Sequence, residues 1–147
     1  MRKKLISMKE AVEKYTWDGM TYAHGAALPV GSDSIAFGRE MVRQGRKNLN
    51  VISNCNTQQT NLMAAVGAIK RMEVGFSGLE VYGFANGLRR AVESGQMIIE
   101  DYSNAGIPIR LLGGAMNWPF VSATVSIGSY QQWCSGDNPD EYPNKSK

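Results

Sequence analysis

Short apolar runs alternate along the chain with segments in which apolar residues recur at the spacing of a helix. The five runs with the length of a strand are Met20–Ala23, Leu49–Ser53, Ile69–Val74, Met97–Glu100 and Phe120–Val125. The clearest helical stripe consists of Val81, Phe84, Ala85, Leu88 and Val92. Because parallel strands need crossover connections, this alternation predicts an α/β fold with a doubly wound, mainly parallel sheet and helices on both faces.

Helix boundaries are marked by residues that satisfy or end the backbone hydrogen-bond ladder. Ser7 and Glu10 have the spacing of a capping box, which predicts the start of the first helix. The second helix is expected to be capped by Ser32 or Asp33 and to end at Gly45, since glycine tolerates the left-handed backbone of a helix C-terminus. Further helices are predicted over Gln59–Val66 and Ile109–Met116.

Length, charge and cysteine content limit the classes of protein to which this chain can belong. The 147 residues suit one compact domain with a core of its own. Sixteen Lys and Arg residues against 13 Asp and Glu give a net charge of +3, which does not suit a nucleic-acid binder but favours an anionic partner slightly. There is no run of about 18 apolar residues for a membrane span. One histidine and two cysteines, Cys55 and Cys134, predict neither a metal site nor a disulfide framework, and a cytoplasmic protein is expected.

Ligands of open parallel sheets bind outside the carboxyl ends of the strands. That rule nominates five loops, which are rich in Gly, Ser, Asn or acidic residues: His24–Asp33, Asn54–Gln58, Gly75–Glu80, Tyr102–Asn104 and Ser126–Tyr130. Each loop taken singly is explained as well by turn formation, because these residue types favour turns. Together the five loops predict a ligand-binding rim.

The familiar nucleotide and hydrolase motifs are missing from the sequence. It has no dinucleotide glycine fingerprint, no phosphate-binding lysine motif and no Gly-x-Ser-x-Gly. Glu80 lies on a predicted rim loop and could act as an acid, a base or a nucleophile, but a carboxylate before a helix also favours the helix dipole. For His24, at the end of a strand, a packed or turn histidine is the simpler interpretation. These patterns alone indicate an α/β domain with a ligand rim.

The segment from Asp18 to Gly31 resembles the first signature of family I coenzyme A transferases. That signature has an acidic residue or Asn, then Gly, two variable and three apolar residues, and Gly-Gly-Phe, followed by Gly and Pro. The matching positions are Asp18, Gly19, Gly25 and Gly31. The departures are His24 at a usually apolar position, Ala26 and Ala27 in place of the second Gly and the Phe, and Asp33 where Pro is expected.

Three later segments also resemble the A subunit of the glutaconate type. They are Ile69–Met72, Glu93–Ser103 and Trp118–Thr124, the last with Ser122 in place of the family's second proline. The resemblance covers roughly residues 5 to 135. We therefore expect a coenzyme-A-transferase-like domain over 1–135, shorter than the family's A subunit, so that its fold would be incomplete. An irregular tail is expected over 136–147.

The resemblance implies a ping-pong reaction. A glutamate carboxylate attacks an acyl-CoA and carries CoA as a thioester until an acceptor carboxylic acid takes it. In two-subunit members this glutamate lies in the B subunit, within Glu-Asn-Gly, a motif that this chain lacks. The chain is therefore expected to be an A subunit, with the B subunit for its partner, CoA as a substrate and no permanently bound cofactor. The chain is expected to supply no catalytic residue, and Glu80 is the one candidate should it do so. Its loops are expected to line the substrate and CoA site, through Gly25, Ala26, Gly31, Asn54, Ser77, Gly78 and Glu80.

Two alternatives remain open at this point. Related subunit pairs that act as ring-cleaving acyl-CoA hydrolases lack the glutamate nucleophile, and the altered segment at Gly25, Ala26 and Ala27 is compatible with that chemistry. The chain could also be a non-catalytic domain that only binds a partner. A glutamate in the neighbouring B subunit would favour transfer, and its loss would favour hydrolysis.

Overall fold

The structure, a computed structural model, describes residues 5–25, 33–56 and 58–124. Its helices are α1 Met8–Tyr15, α2 Ile35–Arg43, α3 Gln58–Ala65, α4 Asn86–Glu93 and α5 Gly106–Ala115. They alternate with strands β1 Thr21–His24, β2 Leu49–Asn56, β3 Ile69–Ser77 and β4 Ile98–Asp101, and a short 3-10 helix covers Glu80–Tyr82. None of the described helices is long and apolar enough to cross a membrane.

The four strands form one parallel sheet in the order of the chain, β1-β2-β3-β4. Val51 of β2 pairs with Tyr22 of β1 on one side and with Met72 of β3 on the other. Parallel neighbours cannot be joined by hairpins, so α2, α3 and α4 serve as the crossovers. This confirms the predicted α/β fold with a mainly parallel sheet. It also brings the carboxyl ends of all four strands to one edge.

Different helices cover the two faces of the sheet. Helices α1 to α4 share one buried cluster with β2 and β3, to which Val12, Met41, Met63, Leu88, Leu49, Val51, Met72 and Val74 belong. Helix α5 packs on the opposite face, where Arg110 forms an ion pair of 2.6 Å with Glu73 of β3 and Ile107 is buried. Apolar and polar residues alternate along β3, as expected when one face carries the core. Helices therefore lie on both faces, as predicted.

The ends of α1 and α2 show how local signals set helix boundaries. The Ser7 hydroxyl accepts from the Glu10 amide and the Glu10 carboxylate accepts from the Ser7 amide, which completes the predicted capping box. Gly45 takes a φ of 70° after α2, as a helix terminator does. The predicted cap of α2 was wrong for Asp33, because its carboxylate accepts from the Gln59 amide in the first turn of α3. Ser32 lies outside the described residues.

The stripe from Val81 to Val92 does not form one helix, and this prediction was wrong. Val81 and Phe84 are 86% and 77% exposed, and α4 begins only at Asn86. The reason is a cap supplied from another helix. The Asn61 side-chain oxygen of α3 accepts from the amides of Gly87 and Leu88 at 2.8 and 3.2 Å, which fixes where α4 starts.

The predicted fifth strand, Phe120–Val125, is also corrected. Phe120–Thr124 is not in a strand, and Val125 lies outside the described residues. Val121 packs against Gly113 of α5, and Ser122, Ala123 and Thr124 line a shallow pocket with Ile109 of the same helix. The apolar run is thus used to cover α5 instead of extending the sheet. The loop 126–130 and the tail 136–147 likewise lie outside the described residues.

Strands β2 and β3 run further than predicted. They continue to Asn56 and Ser77 because Cys55 pairs with Phe76 and Asn56 with Ser77 in the parallel ladder. Polar side chains do not end a strand whose backbone still has a partner on either side. Much of the predicted loop Asn54–Gln58 is therefore the end of a strand. Helix α5 begins earlier than predicted, at Gly106, where the Ser103 hydroxyl accepts from the Gly106 amide at 2.8 Å.

Candidate functional site

Polar side chains gather where β1, β2 and β3 end. His24 closes β1, Asn54, Cys55 and Asn56 close β2, and Ser77 closes β3. His24 pairs with Ser53 and Asn56 pairs with Ser77, so these strand ends are held side by side by the sheet. Helices α2 and α3 start beside them. Three of the nominated rim loops thus begin at one edge of the sheet, which we call the carboxyl edge.

Several polar atoms at the carboxyl edge are buried without a hydrogen-bond partner among the described residues. They are the side-chain oxygens of Asn54 and Asn56, the Ser77 hydroxyl and both ring nitrogens of His24, near which the Asn56 side chain and the Gly25 backbone lie without good hydrogen-bond geometry. A buried polar atom without a partner costs about 1–3 kcal/mol. Native proteins keep few such atoms, and a cluster of them calls for an explanation. One explanation is a ligand that completes their hydrogen bonds. The position of these atoms agrees with the rule that ligands of parallel sheets bind outside the carboxyl ends of the strands.

His24 is held in place by aromatic stacking. Its ring lies 5.4 Å from the Tyr22 ring at an interplanar angle of 13°, and Tyr22 stacks in turn on Phe37 at 5.8 Å. Burial lowers the pKa of His24, and the Asp33 carboxylate, the Asn56 side chain and the Gly25 backbone oppose that shift only in part. The imidazole is therefore neutral at neutral pH, with one nitrogen as a donor and the other as an acceptor.

A buried polar network next to His24 connects β1 with the first residues of α2 and α3. Gln59, which is fully buried, interacts with Tyr22 of β1 and with Asp33 and Ser34 before α2. Oriented with its oxygen toward β1, it accepts from the Tyr22 hydroxyl at 2.8 Å, and its nitrogen donates to Asp33 at 3.2 Å and to the Ser34 hydroxyl. The Gln59 amide also donates to the Asp33 carboxylate at 2.9 Å. The network ties β1, α2 and α3 together where β1 ends.

Cys55 and Glu80 lie close enough to influence each other. Burial raises the pKa of the Cys55 thiol, and the Glu80 carboxylate raises that pKa further. The thiol therefore stays protonated at neutral pH, which makes it a poor nucleophile. Glu80 is exposed and opens the 3-10 helix with a φ of 50°, a left-handed conformation that is unusual for a residue other than glycine. It is six residues before α4, so the expected interaction with the dipole of that helix is not formed.

The other predicted site residues differ in how closely their neighbours pack against them. Gly25 is exposed, its φ lies outside the left-handed region, and a Cβ there would meet no atom of the described residues within 4 Å. The backbone conformation of Gly25 therefore does not itself require glycine. Gly78 lies against the Phe76 ring, at 3.1 Å from the position of an added Cβ. Ala26 and Gly31 lie outside the described residues.

Gly75 is a close-approach glycine that the sequence did not single out. An added Cβ would lie 2.9 Å from the Asn54 carbonyl oxygen and 3.0 Å from the Asn104 Cα, which leaves room for no side chain. The absence of a side chain at Gly75 brings the loop after β4 against the end of β3. Asn56 was also missed as a site residue, since a buried asparagine inside a strand has no distinctive sequence signal. Within the described residues, no three His, Cys, Asp or Glu side chains cluster as metal ligands would.

Comparison with known proteins agrees with this architecture. The sequence pattern of the coenzyme A transferase family matches residues 5–140. The A subunit of the 3-oxoadipate CoA-transferase of Pseudomonas knackmussii is 28% identical over 129 residues, which are 85% of this chain and 45% of that protein. This chain therefore spans less than half of that relative's length.

Two solved structures share the fold. A cysteine-to-serine variant of the decarboxylase AibA/AibB superposes with a TM-score of 0.77 at 26% identity, over 86% of this chain and 48% of that one. Glutaconate coenzyme A-transferase from Acidaminococcus fermentans superposes with a TM-score of 0.76 at 22% identity, over 88% and 41%. With the family pattern extending over nearly the whole sequence, the chain belongs to the coenzyme A transferase family.

Proposed function

We propose that the chain is part of the A subunit of a two-subunit CoA transferase, which moves CoA from an acyl-CoA to an acceptor carboxylic acid. The observation that carries the proposal is the match, along 85% of the chain, to the A subunit of a 3-oxoadipate CoA-transferase. The B subunit would supply the glutamate nucleophile, because this sequence has no Glu-Asn-Gly. The carboxyl edge would form one wall of the substrate site.

The chemistry of the carboxyl edge supports a binding role for this chain. Cys55 is a protonated thiol and His24 a neutral imidazole, so neither is prepared for nucleophilic attack. The unpartnered buried atoms suit a ligand that is held by hydrogen bonds. Glu80 has an exposed carboxylate beside Cys55, which is a weaker setting for a nucleophile than a desolvated pocket.

Locating the covalent intermediate tests the proposal directly. The chain is co-expressed with the B subunit, the complex is incubated with acyl-CoA, and the glutamyl thioester is trapped with hydroxylamine or borohydride before mass spectrometry. We expect the modified glutamate on the B subunit, and we expect CoA transfer to disappear when that subunit is omitted. A modification at Glu80 would make this chain the catalytic subunit. Release of free CoA without an acceptor acid would identify a hydrolase instead. Complex formation without turnover would indicate a domain that only binds its partner.

Decarboxylation is a second candidate reaction, favoured by the similarity to the decarboxylase AibA/AibB at 26% identity. That reaction needs no acceptor acid, and its product is CO2 with the CoA thioester intact. A dicarboxylic acyl-CoA such as glutaconyl-CoA is therefore a suitable probe. CO2 released at the rate of substrate loss, with no exchange of CoA onto added acetate, would replace the transferase proposal. CoA exchange without CO2 would support it.

A further inference from the structure

The start of α4 contains the only Asn-Gly dipeptide of the sequence, Asn86-Gly87. Asparagine before glycine is prone to spontaneous deamidation, because glycine has no side chain to hinder attack by its own backbone nitrogen. Asn86 is exposed, whereas Gly87 is buried. The reactive carboxamide is therefore accessible to water, while the nitrogen that would attack it lies inside the fold.

The Gly87 amide is held by helix α3. It donates to the Asn61 side-chain oxygen at 2.8 Å, and the same oxygen accepts from the Leu88 amide at 3.2 Å. The surroundings of Gly87 are tightly packed as well, since an added Cβ would lie 2.6 Å from the Asn61 carbonyl oxygen and 2.8 Å from the Ala65 Cβ. The Gly87 nitrogen is therefore not free to approach Asn86 while the first turn of α4 stays against α3.

We propose that Asn86 is a deamidation site whose rate is set by the opening of the first turn of α4, and that Asn61 keeps this turn closed. In the open state the Gly87 nitrogen attacks the side-chain carbonyl carbon of Asn86 and forms a cyclic succinimide. The bond from that carbon to the side-chain nitrogen breaks, and ammonia leaves with the proton of the Gly87 amide. Water then opens the ring at either carbonyl, which gives aspartate or isoaspartate at position 86.

Two features of the closed state oppose ring formation. A helical amide is directed along the helix axis and not toward the preceding side chain, so the backbone at Asn86 has to leave the helical conformation before the ring can close. The Gly87 amide also has to lose its proton during the attack, and this would break its hydrogen bond to Asn61. The reaction therefore belongs to the locally open state.

The modification would prevent the first turn of α4 from closing again. Isoaspartate carries the backbone through the former side chain and adds a methylene group to the chain between Asn86 and Gly87. The amides of Gly87 and Leu88 would then no longer meet the Asn61 oxygen together. Leu88 and Val92 of α4 line the groove beside β4, so a chain that has been modified in the open state loses part of that groove wall.

Peptide mapping of the full 147-residue chain tests the inference without reference to the reaction that the protein catalyses. Trypsin releases residues 72–89, in which Asn86 is the only asparagine and no glutamine occurs. Modification of a transiently open state follows the population of that state, so we expect this peptide to deamidate roughly tenfold or more slowly in the folded chain than in urea at the same alkaline pH. Equal rates would overturn the protection, and a peptide that stays intact in urea would overturn the site.

Variants separate opening of α4 from unfolding of the whole chain. Asn61→Ala should speed deamidation of the folded chain about fivefold to thirtyfold, the change in population that loss of a helix cap gives. Asn61→Asp keeps an acceptor oxygen and should react at nearly the wild-type rate. Ser7→Ala removes the cap of α1 and is the matched control, which should not change the rate.

Two results with these variants would contradict the inference. A wild-type rate in Asn61→Ala would show that Asn61 does not protect Asn86, and an equal acceleration in Ser7→Ala would assign the rate to global unfolding. Circular dichroism shows whether each variant is folded. Should Asn61→Ala not fold, the comparison of the wild-type chain with and without urea still decides the inference.

The products identify the chemical route. Opening of a succinimide gives isoaspartate as well as aspartate, and a protein isoaspartyl methyltransferase labels only isoaspartate. Asn86→Gln, at an exposed position, should abolish the mass change in residues 72–89, because glutamine cyclises far more slowly than asparagine. Labelled isoaspartate in the wild-type peptide supports attack by the Gly87 nitrogen. Aspartate without isoaspartate would indicate direct hydrolysis and overturn that route.

Discussion

At the scale of single residues, Gly25 shows how the structure changes the reason for a prediction. The resemblance marks Gly25 as a signature glycine, but its φ is ordinary and no described residue fills the space beside it. Gly25→Val should therefore leave folding intact and reduce activity of the complex severely, because the added side chain would occupy space that the substrate or the partner needs. The measurements are steady-state CoA transfer and thermal melting. Gly114→Val, at an open position on α5, is the control. Wild-type rates with Gly25→Val would show that the signature segment only forms a turn.

Glu80 and Cys55 give a test of local electrostatics. The Glu80 carboxylate contributes to the raised pKa of the Cys55 thiol, second to burial, so Glu80→Gln should lower that pKa and speed alkylation at a fixed pH. The rate of iodoacetamide modification between pH 7 and 10 measures this, in a Cys134→Ser background that leaves one thiol. Glu13→Gln, on the exposed side of α1, should have no effect. An unchanged alkylation profile in Glu80→Gln would show that burial alone sets the pKa.

The titration of His24 predicts a pH dependence of stability. Its pKa is lower in the folded chain than the ordinary value of 6.5, so the unfolded chain binds more protons at mildly acidic pH. The free energy of unfolding should therefore be fully retained above about pH 6.5 and decline as the pH falls below it. Urea unfolding at pH 7.5 and 5.5 measures the decline, which should be smaller in His24→Gln. Equal declines in the two proteins would assign the pH dependence to other groups.

The sequence predicted the position of some residues at the carboxyl edge, and it did not show which polar atoms are buried there without a partner. Asn54 and Ser77 were placed at the rim because they follow apolar runs, and both lie at the strand ends of the carboxyl edge. The histidine at position 24 was interpreted as a packed residue because its unpartnered nitrogens are visible only once its neighbours are known. Hydrogen-bond satisfaction is a property of the folded environment, and no single-sequence pattern encodes it.

At the scale of secondary-structure elements, a helix boundary set by residues of the same turn was predicted correctly. A boundary set by a residue distant in sequence was not. The start of α1 is set by Ser7 and Glu10 within the same turn, and it was predicted. The start of α4 is set by Asn61, which is 26 residues away from Gly87, and it was missed. The apolar run after Pro119 was taken for a strand because an apolar run that covers a helix and one that forms a strand look alike in sequence.

The cap of α4 can be tested by removing its acceptor. Asn61→Ala should lower the free energy of unfolding by about 1–2 kcal/mol, as loss of a helix cap does, because two amides lose their partner. Asn61→Asp keeps the oxygen and should retain most of the stability. Urea unfolding of the three proteins provides the comparison. If Asn61→Ala is as stable as wild type, solvent or another group caps α4.

At the scale of the whole molecule, the described sheet has an open side beyond β4. Among the described strands β4 lies at the edge, and Ile98 on it is 59% exposed. A groove of about 540 Å³ lies next to it, lined by residues such as Phe76, Phe84, Leu88 and Ile99. An open strand edge beside an apolar groove is a surface on which residues outside the described ranges, or a partner, would pack.

The exposed surface predicts how the isolated chain behaves. We expect it to bind a hydrophobic dye such as ANS and to self-associate in light scattering, because an open strand edge beside an apolar groove invites pairing. Ile98→Lys should reduce both effects, since a charge on an edge strand opposes edge-to-edge association. Leu5→Lys, at an exposed position before α1, is the matched control and should change neither. A wild-type chain that stays monomeric and binds no dye would show that the groove and the β4 edge are covered within these 147 residues.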